Sequence, residues 1–188
     1  SNLVAADQAT DSPTNNFCTL NPLVPSTGFT FSEGNCKMVS GGGDTKGGGV
    51  GTFGLTAGKW YWEIKMASLL GNNTHGIISE LTAELCQNVA GLQNDVGVTQ
   101  FRNDDGGEMN TDGTQTTADY GTLDDGDILG VAFNADDNQI SFYDNGSALV
   151  SDFTISTTRG VIFPFFGSGI STTFAINLGG CPSFTVSS

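Results

Sequence analysis

The chain holds one histidine, His75, so any imidazole-based triad or metal site would rest on that ring alone. No Gly-x-Ser-x-Gly or His-Glu-x-x-His pattern accompanies it. A lone histidine in a strand-like run reads as structural. A sandwich-type glycosidase needs two carboxylates roughly 5–10 Å apart across the scissile bond. On a strand that pair appears as two acids at i, i+2 or i, i+4, and Glu63 is the only acid in its run. The other acids sit in turn-like stretches: Asp104, Asp105, Glu108 and Asp112, then Asp124, Asp125 and Asp127, then Asp136 and Asp137. No catalytic residue is assigned, and the expectation is a chain that is not an enzyme.

Clustered oxygen ligands suit calcium. The weak candidates are Asp104, Asp105, Glu108 and Asp112, set among flexible glycines. The competing reading is that turn aspartates cap local N–H groups. Gly49-Val50-Gly51-Thr52-Phe53-Gly54 matches Gly-x-Gly-x-x-Gly but lacks a preceding strand and a following helix, so no dinucleotide site is expected. Gly58-Lys59 is followed by Trp60 and makes no phosphate loop. No cofactor is expected beyond a weak case for Ca²⁺. Asn72-Asn73-Thr74 and Asn145-Gly146-Ser147 are sequons, which matter only in a eukaryotic secretory pathway.

Sugar recognition uses exposed aromatic platforms beside polar groups. The weak ligand-binding candidates are Tyr61, Phe101 and Tyr120; Trp60 and Trp62 share a strand face with Ile64 and Met66 and are expected in the core. The four cysteines, Cys18, Cys36, Cys86 and Cys181, form no Cys-x-x-Cys pair. Cys18–Cys36 is the first expected disulfide, with Cys86–Cys181 following; four buried free thiols are the alternative, and the compartment decides.

The elements that must position these residues are strands. With 188 residues the chain suits one domain. We divide it into a polar arm, residues 1–14, and a single β-sandwich domain, residues 15–188. Trp60 to Met66 alternates dry and wet faces. Ile128 to Asn134 is a dense central-strand run. Gln139 to Tyr143 leads into Asp144-Asn145-Gly146, a type I′ hairpin signal, and then Ala148 to Val150. Val161 to Phe166 and Thr173 to Leu178 complete the strong set, with Pro164 demoting the former to an edge, bulge or strand end. Weaker strands are expected at Asn16–Leu20, Phe29–Ser32, Asn35–Val39, Val50–Gly54, His75–Ser79 and Asp95–Gln100. Ser40–Gly49 reads as a mobile glycine loop. Asn103–Gly121 reads as a surface loop or a pair of small edge strands. One short helix fits within Glu80–Ala90. The predicted fold is all-β: a two-sheet antiparallel jelly-roll sandwich.

Twenty acids against six bases give a net charge of −14, while only 14% of residues are charged. Phosphate binding needs Lys and Arg, so nucleic acid is excluded as a partner, as are anionic membrane surfaces. No apolar run approaches a bilayer span, so membrane insertion is not expected.

Five blocks in order resemble the SPRY family: Gly58–Ile64, Gly76–Ile78, Asp125–Asn134, Gln139–Gly146, and the finish Phe163-Pro164-Phe165 with Phe174–Gly179. The likeness spans about residues 28–180. It implies two stacked antiparallel sheets of concanavalin-like topology and a non-enzymatic role, with partners bound through loops at one end. The glycine-rich Ser40–Gly49 stretch, the long Asn103–Gly121 segment, the low charge and the opening Asp11–Phe17 look more like SPRY-type domains of bacteriophage tail and capsid-associated proteins. On that resemblance the expected function is a virion structural or adhesion module: a capsid decoration, fibre or tail-associated domain, at the virion or outside the cell. Its partners would be other virion proteins, or a cell-surface glycan or protein, within a homo-oligomeric assembly. The alternative is a lectin-like carbohydrate-binding module.

Overall fold

The computed structural model describes residues 16–24, 28–40, 47–68, 73–80, 97–104, 106–116, 118–155, 160–168 and 172–180. The expected N-terminal arm and all but Glu80 of the expected helix lie outside these residues. In chain order the strands are β1 (Phe29–Ser32), β2 (Lys37–Ser40), β3 (Gly47–Val50), β4 (Lys59–Ser68), β5 (Asn73–Ser79), β6 (Val98–Arg102), β7 (Glu108–Thr111), β8 (Thr114–Gln115), β9 (Ile128–Asn134), β10 (Gln139–Asp144), β11 (Ser147–Thr154), β12 (Ile162–Ser168) and β13 (Thr173–Asn177). They form two antiparallel sheets, β1-β2-β13-β4-β9-β10-β11 and β3-β12-β5-β6-β7-β8.

Alternation along the strands builds the core between the sheets. Trp62, Ile64 and Met66 of β4, Leu129, Val131 and Phe133 of β9, and Ile140 and Phe142 of β10 meet Ile77, Phe101, Met109 and Phe166 from the smaller sheet. The intervening residues Val50, Ile78, Val98 and Phe165 form a second buried cluster, with Val24 and Phe163 packed on it. The smaller sheet is therefore buried on both faces in its middle, and every residue of β5 and β6 is buried. Strands of this kind lose the alternation that marks a half-exposed strand. That is why β5 and β6 read only weakly in the sequence.

The glycine stretch corrects one expectation. Gly47, Gly48 and Gly49 are not loop; they pair with Ser168, Gly167 and Phe166 of β12. A Cβ on Gly48 would stand 2.3 Å from the Phe166 carbonyl oxygen, so the absence of side chains is what lets the two backbones close. Pro164 is likewise not on an edge, because β12 lies between β3 and β5. Its carbonyl accepts from Gly51 N–H at 2.9 Å. The missing N–H of the same residue points to that side too, where ladder pairing with β3 has ended at Val50. Asn16–Leu20 forms no strand, and joins the sheet only by a bridge from Leu20 to Gly51. The Asn103–Gly121 stretch does contain the pair of short strands, β7 and β8, at the edge of the smaller sheet.

The Asn145-Gly146 turn forms as expected, with φ of +46° and +82°. The Asn145 side chain ties the turn to the start of β9: its Oδ1 accepts from Ile128 N–H at 3.1 Å, and its Nδ2 donates to the Asp127 carboxylate at 2.7 Å.

Candidate functional site

The start of β4 is held open to solvent by its turn. Gly58, at φ +86°, donates its N–H to the Asp136 carboxylate at 2.8 Å, and its carbonyl accepts from Ala135 N–H at 2.9 Å. These bonds fix where the strand enters the larger sheet. Trp62 then lies in the core, but Trp60, two residues nearer the sheet end, is 39% exposed. The expectation that both tryptophans are buried is corrected: they share a face, and the core ends between them. Trp60 is held in place by an indole N–H bond to the Ala57 carbonyl at 2.8 Å. Tyr61, on the other face, is 52% exposed. Its hydroxyl donates to Glu63 at 2.9 Å. Burial of the hydroxyl, and then the hydrogen bond to that carboxylate, push the phenol pKa up. Glu63 itself is 1% exposed, so the face expected to be wet is covered at that point.

A cleft of about 100 Å³ opens beside these residues. One side is Trp60, Tyr61 and Trp62; Phe53 and Leu55 from the β3–β4 connection form another. Phe17 and Cys18 enter from before β1, Pro164 from β12, and Leu178 from beyond β13. None of its lining residues is charged. Trp62 is 3% exposed, and its buried indole nitrogen has no hydrogen-bond partner.

The other sequence candidates scatter. Phe101 cannot be a platform: it is fully buried and packs on Phe142, ring centroids 5.6 Å apart. Tyr120 is half-buried against the core. The calcium candidates do not converge on an ion. The Arg102 guanidinium pairs with Asp104 and lies 3.6 Å from Glu108, while Asp112 accepts Gly97 N–H at 2.8 Å. Asp105 lies outside the described residues. Among the described residues no group of three or more His, Cys, Asp or Glu side chains could hold a metal. Gly49–Gly54 leads into no helix, which leaves its dinucleotide motif without context.

The expected Cys18–Cys36 disulfide does not form. Cys18 is a buried free thiol, and Cys36 is disulfide-bonded. Cys18 lies beside Gly51 and Pro164 and accepts from the Thr52 hydroxyl, whereas the Cys36 carbonyl is tied to Ile176 N–H of β13. Burial pushes the Cys18 thiol pKa up. Cys86 and Cys181 lie outside the described residues. His75 is fully buried, edge-on to Phe174, and neither ring nitrogen has a partner. It takes no part in the cleft.

Sequence reasoning missed Phe17, Phe53 and Leu178, because a cleft built from five separate stretches leaves no local signal. Trp60 was visible as a residue, but its exposure was not.

The family of the SPRY domain matches residues 59–180. The chain belongs to the SPRY family. Solved structures agree on the fold. The SPRY chain is similar to the TRIM65 PSpry domain at TM-score 0.69 and 13% identity, covering 86% of this chain and 89% of that one. The SPRY domain of human HERC1 gives 0.66 and 16%, covering 85% and 98%. Stonustoxin gives 0.62 and 20%, covering 86% of this chain and 27% of that one. At these identities the likeness is one of fold alone. A search of curated proteins gives no match.

Proposed function

We propose that this SPRY domain is a non-enzymatic protein-binding module that takes its partner on the exposed end of β4, around Trp60 and Tyr61. The observation that carries the reading is the pairing of a half-exposed tryptophan with an adjacent uncharged cleft. Interface hot spots are enriched in tryptophan and tyrosine set against pockets. Family membership supports the same role, since SPRY domains mediate protein–protein contacts. The module works without a metal or organic cofactor.

The setting we propose is a virion surface or the extracellular space, with the domain repeated in an assembly and bound to other virion proteins or a cell-surface protein. The disulfide at Cys36 supports an oxidising compartment, and the sparse charge supports a surface built from Gly, Thr and Asn. A carbohydrate ligand is the second reading, favoured by the exposed Trp60 and Tyr61. The cleft weighs against it: about 100 Å³ is below the roughly 300–1,000 Å³ of small-molecule sites.

The test is selection of a randomised peptide display library on the protein, alongside a glycan array. Enriched peptides whose binding is lost in Trp60→Ala support the proposal. Retention on glycans with no peptide enrichment overturns it in favour of the lectin reading.

A further inference from the structure

The chain has four cysteines, of which Cys18 is a free thiol and Cys36 is disulfide-bonded. Within the chain the partner of Cys36 is therefore Cys86 or Cys181. The described backbone favours one of them. Strand β13 ends beside Cys36, where Ile176 N–H donates to the Cys36 carbonyl at 2.7 Å. The chain then turns off the line of the strand: Gly179 has φ +101°, and its N–H donates to Asn177 Oδ1 at 3.0 Å. Gly180 packs so closely on Phe17 that a Cβ there would overlap the ring. The Phe17 segment is itself anchored next to Cys36, because Leu20 N–H donates to the Asn35 carbonyl at 2.9 Å. Two routes, through β13 and through Phe17, thus bring Gly180 toward Cys36, and Cys181 is the next residue. A disulfide needs such proximity, with Cα atoms roughly 4.4–6.8 Å apart. Cys86 instead lies between Glu80 and Gly97, which bond to Val161 and Ser79 at the end of the smaller sheet, whereas Cys36 leads into β2 of the larger.

We infer that Cys36 is bonded to Cys181, and that this bridge is a clasp holding one wall of the cleft beside β4. The clasp rests on the protein-binding reading above and names what keeps that site in shape. Phe17 and Leu178 both line the cleft. Leu178 to Gly180 is the stretch between the end of β13 and the bridge, so the bond restrains it at its far end. Forming the bond takes two protons and two electrons from the two thiols. They pass to a disulfide oxidant, which is reduced to two thiols. The wall is therefore complete only in protein matured where such oxidants persist.

The first test is a disulfide map of the full chain, purified without reductant. Free thiols are blocked with iodoacetamide in denaturant, and the protein is cut with chymotrypsin, which separates Cys18 from Cys36 at Phe29 and Phe31. A cross-linked peptide pair holding Cys36 and Cys181 supports the inference. A Cys36–Cys86 pair, or alkylated Cys36, overturns it. The second test reads the clasp, using peptides selected by display on the wild type. Cys181→Ser should weaken their binding at least fivefold and shift the Trp60 indole signal of ¹⁵N-labelled protein, with the remaining spectrum dispersed. Cys86→Ser should do neither. The double variant Cys36→Ala, Cys181→Ala leaves no stranded thiol and should match Cys181→Ser. If both clasp variants unfold, the bond serves the whole fold and not this wall, which overturns the clasp. If the peptides bind Cys181→Ser as tightly as wild type, the clasp is wrong and the protein-binding reading stands. If no peptide binds the wild type, that reading falls and the clasp with it, while the map still decides the bond.

Discussion

The imidazole of His75 meets the ring of Phe174 edge-on, centroids 4.7 Å apart and planes at 88°. Phe166 lies on another side at 6.4 Å. Neither imidazole nitrogen reaches a polar partner, and the side chain is fully buried. Burial lowers its pKa to about 3, because a charged ring there would lose its hydration with no compensating bond.

Acid should therefore destabilise the fold through this one residue. The unfolded chain binds the His75 proton below about pH 6.5, while the folded chain refuses it until about pH 3. Stability is complete above pH 6.5 and falls as pH drops through that window, by about 1 kcal/mol per pH unit. Urea midpoints between pH 7 and 5, where most carboxylates stay charged, isolate the effect, since His75 is the only histidine. The His75→Phe variant should flatten the slope; an unchanged slope would mean the ring is hydrated in the native state.

Trp60→Ala should reduce partner binding tenfold or more and cost under about 1 kcal/mol of stability, because the side chain is already partly in water. Thermal melts and binding isotherms on the same samples separate the two effects. A collapse in melting temperature would place Trp60 in the core instead.

Gly48→Ala should be among the most damaging methyl additions. The new Cβ would meet backbone atoms of Phe166 and Gly167, which cannot rotate away. Overpacking of this kind costs about 1–3 kcal/mol, a clear shift of the urea midpoint. Gly126→Ala is the control for added bulk: nothing lies within 4 Å of its Cβ position, although its φ of +97° adds backbone strain of its own.

Cys18 and Cys36 should behave oppositely. Native Cys18 is buried with a raised pKa and should resist iodoacetamide until the protein is unfolded. Cys18→Ala should be mild, while Cys36→Ser should lose roughly 2–5 kcal/mol under non-reducing conditions. Rapid native alkylation at Cys18, read by peptide mass mapping, would contradict the burial.

Calcium should leave the melting temperature unchanged. The Asp104 and Glu108 carboxylates already face Arg102, whose side chain also donates to Gln115 at 3.2 Å. Removing that cation should cost about 3–5 kcal/mol, since it strands two largely buried carboxylates. Melts in millimolar CaCl₂ against EDTA, for wild type and Arg102→Met, check both statements.

The sequence by itself determined the all-β sandwich. The alternation of Trp60 to Met66, the Asn145-Gly146 turn and the ordered SPRY-like blocks are local or nearly local patterns, and each carries its own backbone preference. Burial on a second face is not local. Phe101 stood among the candidate surface platforms, yet every residue of its strand is buried. Tertiary structure also decided that a run of glycines becomes β3, since only the partner strand β12 rewards a backbone with no side chains. It decided that Pro164 is internal, that Cys36 bonds elsewhere than to Cys18, and that the core ends between Trp62 and Trp60. The cleft follows from that last boundary. Its walls come from residues as far apart as Phe17 and Leu178, and no window of sequence contains them together.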